Sequence, residues 1–82
     1  IKVKKMKLTI VSPEKILYQG EAESVTVPGA KGEFEVLDQH APIISSLQAG
    51  KLRYKAGDTV QMQISGGFID VAGNEVSICV EE

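Results

Sequence analysis

The residue types that could carry out nucleophilic chemistry fall in one short stretch of this 82-residue chain. They are Asp38, His40, Ser45 and Ser46, which include the acid, base and nucleophile of a hydrolytic triad. Members of a triad normally converge from separate parts of a fold, because neighbours in one turn can rarely adopt the required geometry. The stretch therefore does not predict a catalytic site, and we expect a protein without enzymatic activity.

Metal and redox chemistry are not expected either. His40 is the only histidine and Cys79 the only cysteine, and the acidic residues show no ligand spacing around either. One cysteine cannot form an internal disulfide, so Cys79 is interpreted as a small residue on a second face of a strand. His40, followed by Ala41 and Pro42, either holds a corner through a hydrogen bond or contacts a partner surface.

The glycines at positions 29 and 32 resemble a phosphate-binding loop only superficially. No lysine-serine pair and no helix follows them, and these features give such loops their function. We interpret Gly29 and Gly32 as parts of a tight turn, and Glu33 and Glu35 as the solvated face of a strand. No cofactor is predicted.

Composition favours one small soluble domain over residues 1–82. Hydrophobic residues make up 43% of the chain and charged residues 24%, and the formal net charge is −2. Nucleic-acid binding needs a clustered excess of Lys and Arg, so this charge argues against it. The one basic cluster, Lys2, Lys4, Lys5 and Lys7, is interpreted as the solvated face of an edge strand. Apolar runs are far too short for a bilayer-spanning segment.

Alternation of apolar and polar residues predicts strands along the whole chain. It is clearest over residues 5–10, 24–27, 32–37, 59–65 and 75–80. We predict about eight to ten short strands and no helix, which indicates an all-β antiparallel sandwich or barrel. The default core residues are Met6, Leu8, Ile10, Val25, Val27, Val60, Met62 and Ile64.

Glycine and proline predict where these strands end. Pro28-Gly29 should end one strand, Pro42 should form a corner, and Gly66-Gly67 should break the chain before Phe68. Gly57-Asp58 and Gly73-Asn74 should each make a hairpin, the first with a type II′ turn.

The order of residues resembles a known family. The segments LTIVSPEKILYQG, VTVPGAKGEFEVLDQHAPIISSLQAG and ISGGFIDVAGNEVSICVE are similar to the epsilon subunit of bacterial F-type ATP synthase, over residues 8–82. The resemblance implies a flattened β-sandwich of ten strands and a non-catalytic rotor component of the central stalk. It implies two partners, the gamma subunit and the polar loops of the c-ring. It also implies a peripheral location at the cytoplasmic face of the bacterial inner membrane.

The resemblance assigns residues to each partner. The c-ring-facing tip comprises Lys31, Gly32 and Glu33. The gamma-facing surface comprises Ser12, Leu17, His40, Ala41, Pro42, Ile43 and Ser45. A polar turn suits polar loops, and an apolar patch suits a permanent subunit interface.

One departure and one alternative accompany this resemblance. Family members usually continue into a C-terminal pair of helices that carries inhibition of ATP hydrolysis and, in some members, ATP binding. The chain stops at Glu82, so neither activity is assigned to it. The alternative is a biotinyl or lipoyl carrier domain, which needs a lysine at a hairpin tip. Neither Gly57-Asp58 nor Gly73-Asn74 offers one.

Overall fold

The computed structural model describes residues 5–37 and 40–81, with His40 described by its backbone alone. Nine strands and no helix are found within these ranges. They are β1 (Met6–Val11), β2 (Ile16–Ala22), β3 (Ser24–Gly29), β4 (Gly32–Leu37), β5 (His40–Leu47), β6 (Gly50–Ala56), β7 (Asp58–Ile64), β8 (Gly66–Gly73) and β9 (Glu75–Glu81). The predicted all-β class is confirmed, with nine strands in place of the ten that the family resemblance implies.

The strands form one sheet that curls back on itself. Its order is β2-β1-β9-β8-β5-β3-β6-β7, and β4 pairs with the other side of β3. Curling brings β2 towards β6, where the ring centroids of Tyr18 and Tyr54 lie 4.5 Å apart. The described part of the molecule measures 36 × 23 × 17 Å, so the resulting sandwich is flattened as expected.

One strand pair departs from the predicted antiparallel pattern. β1 and β9 run parallel, with Leu8 opposite Val76 and Ile10 opposite Ile78. β1 also pairs with β2, so it is an internal strand of the sheet. The interpretation of the lysine cluster as part of an edge strand is therefore wrong for Lys5 and Lys7, which are exposed on or beside an internal strand. Lys2 and Lys4 lie outside the described residues.

The inner face of the curled sheet forms the core. The residues buried there include Met6, Leu8, Ile10, Val25, Val27, Val36, Leu52, Ile64, Ile69, Val71, Val76, Ile78 and Val80. Val60 and Met62 share the inner face of β7 with Ile64, but Val60 is 41% exposed and Met62 is half-buried. β7 lies at the end of the sheet, so the opposite layer covers only part of its inner face. The prediction of Val60 as a core residue is wrong for this reason.

The first predicted strand end lies two residues too early. β3 continues through Pro28 and Gly29, and Gly29 pairs with Gly32 across a two-residue loop, Ala30-Lys31. The Pro28 carbonyl accepts a hydrogen bond from the Gln48 amide at 2.9 Å, so the backbone groups of Pro28 point away from β4. The β3–β6 ladder has already ended at Thr26. The missing N–H of Pro28 therefore removes no ladder bond, and the strand tolerates proline.

Two further predicted breaks lie inside strands. β5 begins at His40, and Pro42 is accommodated where the β5–β8 register shifts between His40 and Ile43. β8 begins at Gly66, and Gly67 pairs with both Leu47 and Val80. Neither Pro42 nor Gly66-Gly67 breaks the chain, because the neighbouring strands continue the pairing around them.

The two predicted hairpins are confirmed, with one difference in turn type. Ala72 pairs with Glu75, which leaves Gly73-Asn74 as a two-residue loop. In the other hairpin Ala56 pairs with Asp58, so the pairing is symmetric about Gly57. A two-residue type II′ loop would pair residues that differ by three positions. The type II′ prediction at Gly57 is therefore wrong.

Candidate functional site

Among the described residues, those considered for catalysis do not form a catalytic arrangement. The Ser45 hydroxyl donates to the Ser46 carbonyl at 3.1 Å, a local contact within one strand. Asp38 and the side chain of His40 lie outside the described residues. Within the described ranges, no three His, Cys, Asp or Glu side chains converge as a metal site would require. In the same ranges no helix is long and apolar enough to cross a membrane.

The residues assigned to a c-ring-facing tip lie at the end of the β3–β4 hairpin. We call residues 27–34 the tip hairpin. Lys31, Gly32 and Glu33 are all exposed there. The Ala30 amide donates to the Ser46 carbonyl at 3.1 Å, which ties the loop to β5. Glu33 also forms an ion pair with Arg53 of β6, with Nη2 and Oε1 3.0 Å apart.

A groove of about 600 Å³ separates the tip hairpin from β5. Its walls are Gly29, Ala30, Lys31, Gly32, Glu33, Phe34, Ile43, Ile44, Ser45 and Ser46. Residues assigned to two different partners therefore meet in one groove, since Lys31, Gly32 and Glu33 share it with Ile43 and Ser45. Both walls are parts of one continuous sequence segment, residues 29–46.

The residues assigned to a gamma-facing surface fall into two groups. Ala41 and Pro42 are exposed on β5, while Ile43 and Ser45 are half-buried. Ile43 faces inward and packs against the core. Ser12 and Leu17 lie at the β1–β2 end of the molecule, where the Ser12 amide donates to the Lys15 carbonyl at 2.8 Å.

These two groups do not touch each other. Strands β9 and β8 separate β1 from β5 in the sheet. Three strand spacings correspond to roughly 14 Å. A partner that contacts both groups must therefore reach past β9 and β8.

That outer face carries an apolar row that sequence reasoning missed. Ile16 is opposite Val11, Val11 opposite Cys79, and Cys79 opposite Phe68, so the four side chains cross four adjacent strands. We call these four residues the outer row. Phe68 is 52% exposed and Ile16 is 60% exposed. Ile44, 79% exposed, lies on the same face diagonally across from Phe68.

A groove of about 380 Å³ runs beside this row. It is lined by Val11, Ser12, Pro13, Gly67, Phe68, Cys79, Val80 and Glu81. Ser12, which the resemblance assigned to the gamma-facing surface, therefore lies against the outer row. The sequence does contain a signal for Phe68, because Ile69 and Val71 alternate inward and leave Phe68 on the opposite face.

The outer face of β3, β4 and β6 has the opposite character. Besides the Arg53–Glu33 pair, Lys55 approaches Glu23 with Nζ and Oε2 3.5 Å apart. Acidic and basic side chains are interspersed there, as on an ordinary solvated surface. Of the two outer faces, the one with the outer row is thus the better candidate for a protein interface.

Among the described residues one titratable group has a clearly shifted pKa, and it lies in neither surface. Burial raises the pKa of the Tyr54 hydroxyl above its ordinary value of 10.0, and the neighbouring Tyr18 raises it further. The Tyr18 hydroxyl donates to the Glu21 carbonyl at 2.7 Å. This pair belongs to the closure of the sheet, so its consequence concerns stability.

Comparison with known protein families gives a match over residues 5–82. The matching family is described as ATP synthase, Delta/Epsilon chain, beta-sandwich domain. The ATP synthase epsilon chain of Leptospira interrogans is 40% identical over 78 residues, which is 94% of this chain and 61% of the relative. That of Chlorobaculum tepidum is 43% identical over 77 residues, or 92% of this chain and 88% of the relative. The chain thus spans about three fifths of the first relative and most of the second.

Solved structures show the same fold. A chain in the cryo-EM structure of the Euglena gracilis mitochondrial ATP synthase (OSCP, F1 and c-ring) matches with a TM-score of 0.90 and 28% identity. The match covers all of this chain and 53% of that one. A chain in the Tetrahymena thermophila mitochondrial ATP synthase central stalk and c-ring matches with a TM-score of 0.81, over all of this chain and 67% of that one. At 20% identity, the second match concerns the fold alone.

Proposed function

The chain belongs to the family of ATP synthase delta/epsilon chain β-sandwich domains, and we propose that it is a non-catalytic rotor subunit that binds gamma and the c-ring. The observation that carries this proposal is the family match over residues 5–82. In this role the domain keeps gamma and the ring turning together, so that ion flow is coupled to ATP synthesis or hydrolysis. Its place would be peripheral, at the cytoplasmic face of a bacterial inner membrane.

The outer row supports a gamma-binding surface on the β1–β9–β8–β5 face. An exposed aromatic side chain beside an apolar groove is the kind of anchor that dominates interface energetics. Phe68 is such a side chain, and the groove beside it also contains Ser12. Ala41 and Pro42 extend the same proposed surface along β5, whereas Ile43 faces the core.

The tip hairpin supports a second surface for the c-ring. Its end is short and polar, with Lys31, Gly32 and Glu33 exposed, and its backbone is tied to β5. An exposed loop held on a rigid sheet can contact a partner without rearrangement of the fold. The two proposed surfaces then allow one compact domain to contact both partners.

A binding titration with purified gamma tests the first surface. Phe68→Glu should weaken affinity about 30-fold or more, because it places a charge at the proposed anchor of the interface. Gln61→Glu is the matched control, since Gln61 is exposed on the outer face of β7 and should change affinity less than about twofold. Circular dichroism and thermal melts establish that both variants fold. Equal affinity of the parent chain and Phe68→Glu would refute the assignment.

Ile44 provides a second probe of the same surface. Because Ile44 is 79% exposed, Ile44→Asp should weaken gamma binding without disturbing the core. Ile43→Asp is less informative, because Ile43 packs against the core and a buried carboxylate would destabilise the domain.

The carrier-domain alternative has one feature in its favour. Lys31 occupies an exposed hairpin tip, which is where a carrier bears its modified lysine. Its neighbours are Ala30 and Gly32, whereas carriers usually flank this lysine with methionines, and the family match is to a different class. Intact mass after expression with a biotinyl or lipoyl ligase should therefore show no adduct.

A further inference from the structure

The two strands of the tip hairpin are held to the rest of the sheet in different ways. β3 pairs with β6 only from Ser24 to Thr26, and with β5 only at Gly29. Among the described strands, β4 pairs with β3 alone. The second strand of the hairpin is therefore free along its outer edge, whereas the first strand is held to residues 46–48 through the backbone of Pro28, Gly29 and Ala30.

One side-chain contact connects the second strand of the hairpin to β6. Arg53 of β6 reaches across β3 to Glu33 of β4, with Nη2 and Oε1 3.0 Å apart. In the described part of the chain it is the only side-chain hydrogen bond or ion pair that β4 makes. Arg53 sits opposite Thr26, at the last β3–β6 pair, so it anchors the hairpin at the point where the ladder stops.

The same contact sets the charge that the tip presents. Glu33 is engaged by Arg53, so its negative charge is offset locally. Lys31 is exposed and has no ion-pair partner among the described residues. The charge left uncompensated at the end of the hairpin is therefore positive, although Glu33 stands next to the loop.

We propose that Arg53 is a positioning residue that braces the tip hairpin through Glu33, and that the tip binds its partner through Lys31. The partner segment that fits is a polar loop offering carboxylate or backbone carbonyl oxygens. This inference rests on the proposed function, in which that loop belongs to the c-ring. It assigns Glu33 to the brace and Lys31 to the contact.

Hydrogen exchange in the free chain tests the brace without any partner. The Ala30 amide donates to the Ser46 carbonyl, so its exchange rate reports how often the tip leaves β5. Arg53→Gln should raise that rate about two- to fivefold, the effect expected of a surface ion pair. Arg53→Lys should raise it less, and the exchanged pair Glu33→Arg with Arg53→Glu should restore the parent rate. Unchanged exchange in Arg53→Gln would overturn the brace.

Binding to the detergent-solubilised c-ring of the source organism, measured for the complex of this chain with gamma, tests the contact. Lys31→Glu should reduce affinity at least about fivefold at low salt, and added salt should diminish the difference from the parent. The affinity of Lys31→Gln should lie between those of the parent and Lys31→Glu. Arg53→Gln and Glu33→Gln should each reduce affinity less than Lys31→Glu does. The double variant should bind the ring as tightly as either single variant, because both changes remove the same contact.

The outcomes separate this inference from the proposed function. If the parent complex does not bind the ring, the proposed function fails, while the exchange rates still decide the role of Arg53. If the parent binds and Lys31→Glu binds equally well, or if the Arg53 and Glu33 effects add, the inference is overturned.

Discussion

Replacing Gly67 with alanine should destabilise the domain far more than the same change at the adjacent Gly66. The two glycines look equivalent in the sequence, yet only Gly67 has a positive φ, +146°. A Cβ built on Gly67 would lie 2.1 Å from the Cys79 carbonyl oxygen and 3.0 Å from the Val80 Cα. At Gly66 the nearest atom is the Leu47 carbonyl oxygen at 3.7 Å, an ordinary contact.

The expected cost at Gly67 has two parts. A non-glycine residue in this backbone region costs about 1–3 kcal/mol. Relief of the clash must displace the backbone of β9, a central strand, and overpacking of this kind costs about 1–3 kcal/mol more. An 82-residue domain has a free energy of unfolding of about 4–12 kcal/mol. The combined cost of about 2–6 kcal/mol is therefore a large fraction of the total.

Urea denaturation of the free chain measures these differences. Gly67→Ala should lower the free energy of unfolding by at least about 2 kcal/mol and Tm by about 8 °C or more. Gly66→Ala should leave the free energy unchanged or raise it by up to about 1 kcal/mol. Gly32→Ala isolates the backbone contribution, because Gly32 has φ +126° and no atom within 4 Å of a built Cβ. A loss at Gly67 no greater than that at Gly32 would refute the clash, and an equal loss at Gly66 would refute the whole argument.

Two further predictions concern the core and the sheet closure. Ile78→Ala should lower the free energy of unfolding by about 2–5 kcal/mol in the same urea assay, because Ile78 is buried. Ile44→Ala should lower it by less than about 0.5 kcal/mol, because Ile44 is exposed. Similar losses at the two positions would contradict the assigned faces. The raised pKa of Tyr54 means that the folded state keeps the hydroxyl proton at pH values where the unfolded state has lost it. The associated stability is complete below pH 10.0, the unfolded value, and is lost as pH rises through the folded pKa. Tyr54→Phe should therefore lose less stability than the parent between pH 9 and pH 11, and an identical decline in both proteins would argue against this role.

Period-two alternation predicted which face most side chains occupy, but not whether that face is covered. Leu8, Val25 and Ile64 are buried as predicted. Val60 has the same alternation and is 41% exposed, because β7 is the last strand of the sheet and has a neighbour on one side only. Coverage depends on long-range curvature, which no local pattern encodes.

Contacts between distant strands also decided the role of Pro28 and the residues of the candidate surfaces. Pro28 was predicted to end a strand, yet the β3–β6 ladder ends before it, at Thr26, so its missing N–H costs no hydrogen bond. Where that ladder ends depends on β6, which is distant in the sequence. The family resemblance supplied the tip residues, which are exposed as expected, and left Arg53 and Phe68 unassigned. Arg53 lies 20 positions from Glu33 in the chain, so their contact is visible only once β3, β4 and β6 are assembled.

The parallel pairing of β1 with β9 has a consequence for synthesis on the ribosome. β9 lies between β1 and β8, so the central hydrogen-bonded ladder needs a strand translated after all eight others. Until β9 emerges, β1 can pair with β2 alone among its two neighbours in the sheet. Such distant pairings raise contact order and slow folding. We therefore expect nascent chains that end before β9 to remain unfolded and aggregation-prone, with folding completed only once β9 has left the ribosome.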